Sequence, residues 1–291
     1  MAVLIGFMSL IFMISSDSSA RVGSGNVAVI DISGIIVAES SGGFATNEAA
    51  SSQITKFIED ADEDSSVKAI VFRINSGGGS PVATDEISKA IKETNKTTVA
   101  VIREVGASGA YWIASACDVI VANKMSLVGS IGVTSSHLGF GEFIEEYNVT
   151  YRRLVSGKYK DIGTPFREMT SEEKELFQKR IDVLHELFVD AVAENRNMEV
   201  SEVEQVATGL FWTGLESKEL GLIDEFGGEE EALEYIERKH NIKAKKVEYT
   251  KKPTFTDIFL GAMQEHAFYM GQGIGSQIVK ESGQRNYKIL I

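Results

Sequence analysis

Three apolar runs in the first half of the chain, separated by helical patterns, restrict the folds that this sequence can adopt. The runs lie at residues 27–32, 67–74 and 98–105, and the second has the pattern of a parallel strand buried on both faces. Between the runs, residues 49–61 and 82–94 carry apolar side chains at helical spacing. This alternation predicts the α/β class with a largely parallel sheet.

The second half of the chain is more helical. Residues 170–173 read TSEE, which is a capping box and predicts the first turn of a long helix. The apolar residues that share one stripe of this helix are Phe177, Ile181, Leu184, Phe188 and Ala191. Another helix is expected near residues 229–239, so we expect a helical C-terminal part.

The composition bounds the class of protein. Of the 291 residues, 43% are hydrophobic, which is enough for a sizeable core. The formal net charge is -13, whereas a surface that binds nucleic acid is basic, so nucleic-acid binding is not expected. Cys117 is the only cysteine, which excludes an intrachain disulfide. Because the chain shows neither metal-ligand spacing nor a dinucleotide fingerprint, we expect no metal and no cofactor.

The N-terminus carries an uncharged apolar run at residues 2–14. A bilayer span usually takes about 20 apolar residues, and a basic segment before the run is lacking. We nevertheless expect residues 1–26 to be a membrane anchor or export segment with a linker, the alternative being a buried terminal helix. Residues 27–245 are then the main domain, and residues 246–291 are a C-terminal extension.

The run GASGAYWIASACD at residues 106–118 follows the third apolar run and opens into small residues. It places Ser108 at a junction between strand and helix, near amides that stabilise a developing oxyanion. A serine nucleophile needs a base, and lysine serves when burial lowers its pKa. Lys158 and Lys160 are the nearby candidates, and the hydroxyl of Ser130 is a candidate to hold the lysine.

The glycines at residues 77–79 follow the second apolar run. They serve turn geometry alone, or they present the amide of Gly78 or Gly79 to an oxyanion together with that of Gly109. Histidine is the usual partner of serine, and spacing alone does not exclude His137. His185 falls inside the long predicted helix, where a structural role is expected.

Four motifs in a fixed order give this chain a specific resemblance. They are INSGGG at residues 74–79, ASGAY at 107–111, GSIGV at 129–133 and SGKYKD at 156–161. The sequence from about residue 27 to residue 240 resembles the signal peptide peptidase A family, serine peptidases of the Clp/crotonase superfamily. The resemblance implies a Clp/crotonase-like α/β fold of repeated β-β-α units and catalysis without histidine.

The resemblance also implies roles for individual residues. Ser108 is then the nucleophile and Lys160 the general base, with Ser130 positioning its ammonium group. The amides of Gly78 and Gly109 form the oxyanion site. The family implies a membrane-anchored peptidase domain outside the cytoplasm, ring-shaped homo-oligomers with active sites at subunit boundaries, and apolar substrates such as signal peptides.

The chain departs from the family pattern at three positions. Gly77 stands where proline is usual, Ala110 where glycine is usual, and Trp112 where tyrosine is more common. None of these changes removes a catalytic atom. Glycine restricts the backbone less than proline, so Gly77 is expected to loosen the oxyanion loop.

Three other functions stay open on the sequence alone. The first is a related Clp-type membrane peptidase that cuts a stomatin-like scaffold protein. The second is a crotonase-type acyl-CoA enzyme, which needs placed carboxylates and has no use for Ser108 with Lys160. The third is a non-catalytic membrane scaffold with the same fold, against which the intact Ser108 and Lys160 argue.

Overall fold

The computed structural model describes residues 19–40 and 47–251, and these contain eleven strands and eight helices. The strands are β1 (Ser19–Val22), β2 (Val27–Ser33), β3 (Ile35–Val37), β4 (Glu48–Ala50), β5 (Ala69–Ser76), β6 (Thr97–Ala107), β7 (Val119–Ala122), β8 (Leu127–Gly129), β9 (Phe211–Thr213), β10 (Glu225–Phe226) and β11 (Lys246–Lys251). The helices are α1 (Ser51–Glu63), α2 (Pro81–Glu93), α3 (Gly109–Ser115), α4 (Gly141–Glu146), α5 (Ser171–Arg196), α6 (Val200–Val206), α7 (Gly214–Glu219) and α8 (Glu229–His240).

Nine of the described strands form one sheet. Seven follow the order β1-β11-β2-β5-β6-β7-β10, and β8 joins β6 and β9 beside this path. The pairings of β2, β5, β6 and β7 with one another are parallel, whereas β8 and β9 are antiparallel. The α/β class expected from the sequence is confirmed, and β2, β5 and β6 coincide with the three apolar runs.

Both faces of the sheet are buried, which explains why its strands are so apolar. On one face, Ile30, Phe72 and Ile102 pack with side chains of the helices α1, α2, α3 and α5. On the other face, alternate residues such as Val29 and Val71 pack against α8. The central strands are therefore held on both sides and form a rigid base for the loops at their ends.

The carboxyl ends of β5, β6 and β8 meet at one edge of the sheet. Ser76 pairs with Gly106, and Ala107 pairs with Gly129. The residues that follow these strands, namely the 77–79 turn, Ser108 and Ser130, are therefore neighbours.

Residues 134–160 differ from the sheet because nearly all of them are exposed. The short helix α4 has no buried residue. Large apolar side chains face outward here, and Leu154 is 96% exposed. The capping box of Thr170 and Glu173 begins α5 as predicted, but of the predicted stripe Phe188 is buried while Leu184 is 38% exposed.

The structure has a compact unit at residues 21–250, where the sequence predicts a main domain at residues 27–245. Strand β11 pairs with β2, so the sheet extends beyond residue 245, and β1 begins within the expected linker. The apolar run at residues 2–14 and most of the expected extension lie outside the described residues. Within the described ranges, none of the helices has the length and apolar character that a membrane span requires.

Candidate active site

Ser108 sits in a strained backbone conformation between β6 and α3, with φ 52° and ψ -129°. A non-glycine residue at positive φ is unfavourable and is found where the surroundings enforce it, often at a nucleophile. The surroundings here are hydrogen bonds: Ser108 N–H donates to Gly129 O at 2.7 Å, and Ser108 O accepts from Tyr111 N–H at 2.9 Å. The half-buried side chain is thereby fixed at the sheet edge.

The glycine turn packs directly beneath Ser108. Gly78 has φ +99°, and a Cβ built on it would lie 2.8 Å from Ser108 Cβ and 2.8 Å from Gly109 N. Only glycine satisfies both the conformation and the space. Its amide donates to Ser76 Oγ at 3.1 Å, so in this geometry the Gly78 amide already has an acceptor. The neighbouring amide of Gly79 carries no such bond to Ser76.

Ser130 and Ser108 line the same cavity, which has a volume of about 470 Å³. Ser130 also has a positive φ, 48°, and its Oγ donates to Gly209 O at 3.0 Å. Its oxygen keeps lone pairs that are able to accept from an ammonium group. The structure therefore brings together Ser108, Ser130 and Gly109 with the 77–79 turn.

His185 lines this cavity as well, together with Gln178 and Asp182 from α5. Its Nε2 is 3.1 Å from Ala207 O, so one ring nitrogen contacts the loop at residues 207–209. The hydroxyl of Ser130 donates to Gly209 O in the same loop. The structural role expected for His185 fits this bond, but its place beside Ser108 was missed. Helical periodicity alone does not tell which loop a helix faces.

Ser108 also lines a second cavity, about 610 Å³ in volume. Its wall is mainly apolar and includes Trp112, Leu184, Leu187 and Phe188. The rings of Trp112 and Phe188 stack with centroids 5.0 Å apart. Part of the predicted helix stripe therefore lines a cavity beside Ser108 instead of lying wholly in the core.

The two candidate lysines have different environments. Lys158 Nζ bonds both carboxylate oxygens of Glu172, at 2.8 and 2.6 Å, and this partner raises the lysine pKa. Lys160 is exposed, and its Nζ forms no hydrogen bond or ion pair with any described residue. No lysine is among the described residues that line the two Ser108 cavities. Lys160 therefore lines neither of these two cavities.

An ion-pair cluster holds residues 151–167, called the Lys160 segment below, to the start of α5. Asp161 accepts from Arg153 at 2.7 Å and from Arg167 at 3.2 Å, and Arg167 also bonds Glu173 at 2.6 Å. These hydrogen bonds lower the pKa of Asp161 well below its usual range and that of Glu173 to about 2. The cluster fixes the position of the backbone on either side of Lys160.

His137 lies in an exposed loop and lines neither Ser108 cavity. Across residues 19–40 and 47–251, no group of three or more His, Cys, Asp and Glu side chains is arranged to hold a metal ion.

Comparison with known proteins adds independent information. The model of peptidase family S49 matches residues 90–243. A putative protease of Methanocaldococcus jannaschii is 36% identical over 224 residues, which are 76% of this chain and 70% of that protein. A putative signal peptide peptidase SppA of Enterococcus faecium is 31% identical over 204 residues, which are 68% of this chain and 59% of that protein.

Among solved structures, this chain is similar to a ClpP1 mutant from Listeria monocytogenes. The identity is 17% and the TM-score is 0.46, and the match covers 70% of this chain and 92% of the other.

Proposed function

Because the chain belongs to peptidase family S49 and is a serine peptidase, we propose that it hydrolyses peptide bonds with Ser108 as nucleophile and Lys160 as general base. The observation that carries this proposal is the strained Ser108, packed on the glycine turn and facing the same cavity as Ser130. In this proposal, the amides of Gly109 and of the 77–79 turn are the donors to the oxyanion. The hydroxyl of Ser130 is the partner of the lysine.

In the proposed reaction, neutral Lys160 Nζ takes the proton of Ser108 Oγ as this oxygen attacks the substrate carbonyl carbon. The resulting oxyanion accepts from the Gly109 amide and from one amide of the 77–79 turn. The family resemblance implies the Gly78 amide as this donor. Because the Gly78 amide already donates to Ser76 Oγ, the Gly79 amide is the favoured donor to the oxyanion. The protonated lysine then protonates the leaving amine, and water hydrolyses the acyl-enzyme.

The environment of the lysines supports Lys160 over Lys158. Glu172 raises the pKa of Lys158, whereas a general base at neutral pH needs a lowered one. Lys160 has no carboxylate partner among the described residues, so its side chain is available to a second surface. The hydroxyl of Ser130 is then the group that accepts from the Lys160 ammonium.

We propose that this second surface belongs to a neighbouring subunit of a ring-shaped homo-oligomer. The Lys160 segment exposes Leu154, Val155 and Tyr159, and apolar surface of this kind is typical of an interface. A lysine from one subunit would then enter the Ser108 cavity of the next. The active site would be complete only in the assembly.

For the substrate we propose extended apolar peptides, among them signal peptides released at a membrane. The mainly apolar cavity lined by Trp112, Leu184, Leu187 and Phe188 supports this class, because it adjoins the nucleophile. The residues 2–14 would anchor the chain, with the peptidase domain outside the cytoplasm.

The test is turnover of an apolar fluorogenic peptide by the full chain in detergent. Ser108→Ala and Lys160→Ala should each lower kcat by about a thousandfold or more, because nucleophile and base act as a unit. Lys158→Ala is the matched control two residues away and should keep most of the activity. An active Lys160→Ala together with an inactive His185→Ala or His137→Ala would overturn the dyad.

A further inference from the structure

We propose that Thr84 is a positioning residue whose buried hydroxyl fixes the orientation of the Gly109 amide. This inference rests on the proposed function, in which that amide is an oxyanion donor. Thr84 is 0% exposed, and its Oγ1 has no hydrogen-bond partner among the described residues. It nevertheless lines the apolar cavity beside Ser108 and Gly109.

The contact between Thr84 and Gly109 is close. A Cβ built on Gly109 would lie 2.4 Å from Thr84 Oγ1, whereas the next atoms are Thr84 Cγ2 at 3.4 Å and Gly79 N at 3.5 Å. In glycine the direction of that Cβ is taken by a hydrogen, so one Cα–H bond of Gly109 lies against the hydroxyl oxygen. A Cα–H to oxygen contact is weak but orients the two groups.

The start of α2 explains why Thr84 reaches this position. Ser80 caps the helix, Pro81 occupies its first position, and Thr84 N–H donates to Ser80 O at 3.0 Å. The helix thus begins directly after the glycine turn and places the side chain of its first turn under Gly109. The glycine turn and the first turn of α2 therefore both contact the proposed oxyanion site.

A buried hydroxyl without a partner destabilises a fold, so its presence at this point needs an explanation. A methyl group in place of Oγ1 is wider than oxygen and would push the Gly109 backbone away. Oxyanion donors act only within a few tenths of an ångström of the right geometry, so a small displacement lowers kcat. The hydroxyl is the group that fills this space without displacing the amide.

The first test compares Thr84→Val with Thr84→Ser. The valine variant keeps the shape of the side chain but replaces the oxygen, and we expect kcat to fall about 10- to 100-fold with KM within about twofold. Inhibition by a peptide aldehyde, which forms an oxyanion on the enzyme, should weaken by a similar factor. The serine variant keeps the oxygen and should retain near wild-type kcat.

The second test uses a double mutant and does not depend on how well the valine variant folds. Gly109→Ala should be severely impaired, because its Cβ would meet Thr84 Oγ1 at 2.4 Å. In Gly109→Ala with Thr84→Ala, the nearest remaining atom is Gly79 N at 3.5 Å, so part of the lost activity should return. Additive losses would overturn the proposed contact.

Ser217→Ala is the matched control, because Ser217 Oγ is the other buried hydroxyl without a partner in the described part of the chain. It lies in α7 and lines neither Ser108 cavity, so its removal should leave kcat unchanged. An unchanged kcat and aldehyde affinity in Thr84→Val would overturn the role of Thr84. If Ser108→Ala also stayed active, the proposed function itself would be wrong, which separates the two failures.

Discussion

The two halves of the proposed site are built in different ways. Ser108 stands on parallel strands that are buried on both faces, and Tyr111 in the following helix is 0% exposed. Lys160 stands in a segment of exposed residues that ion pairs hold in place. Ser108, the proposed nucleophile, is therefore positioned by the core of its own chain, whereas Lys160, the proposed base, lacks the dry environment that a neutral lysine needs. If Lys160 is the base, as proposed, a second surface has to cover it.

The largest expected effect comes from mixing two inactive variants. If Ser108 of one subunit works with Lys160 of the next, Ser108→Ala and Lys160→Ala should complement each other in mixed oligomers. Random assembly at equal amounts would restore about a quarter of the sites, since one site in four receives both intact residues. Peptide turnover after co-expression measures this directly.

Two controls make the mixing experiment decisive. Each variant alone, at the same total concentration, should stay inactive, and mixing Ser108→Ala with a Ser108→Ala, Lys160→Ala double variant should restore nothing. If the proper mixture stays inactive although mass analysis shows mixed oligomers, both residues act within one chain. The proposal of a site shared between two subunits would then be wrong.

A smaller effect is expected from acid on the Lys160 segment. The pKa of Glu173 is about 2 in the folded chain, below its ordinary value of 4.5, and that of Asp161 is also lowered. Their stabilising contribution is therefore complete above the ordinary values and is lost as the pH falls through the folded values. The protection of residues 151–167 against hydrogen exchange, corrected for the pH dependence of the intrinsic exchange rate, should fall between about pH 4.5 and pH 2, before that of β6 does.

The variant Glu173→Gln sharpens this prediction, because glutamine keeps the third position of the capping box but removes the charge. Residues 151–167 should then exchange faster already at neutral pH, with a weaker dependence on pH. Equal acid sensitivity of this segment and of β6 in the wild type would contradict a segment held by ion pairs.

The buried strands of the sheet are the part of the fold that the sequence predicts. The apolar runs identify β2, β5 and β6, because a strand buried on both faces has little else to be made of. Ser108, Ser130 and the glycine turn come together because parallel strands end at one edge. Strand β11 was missed, since its pairing with β2 joins residues more than two hundred positions apart.

The sequence also does not predict which side chains surround Ser108. Helical periodicity identifies the apolar face of α5 but not what covers it, so Leu184 and His185 could not be placed beside Ser108. The bond from the Gly78 amide to Ser76 and the contact of Thr84 with Gly109 depend on distances of a few tenths of an ångström. No residue pattern carries that information.

The smallest expected effect compares two tyrosines from the two regions. The hydroxyl of Tyr111 donates to Leu222 O at 2.9 Å inside the core, and burial raises its pKa. Tyr111→Phe leaves that carbonyl without its donor and should lower the free energy of unfolding by about 1–3 kcal/mol. Tyr159→Phe removes an exposed hydroxyl that bonds Glu172, and its effect should be too small to resolve. Denaturant titration of both variants decides this, and equal losses of stability would mean that the Lys160 segment is held as firmly as the core.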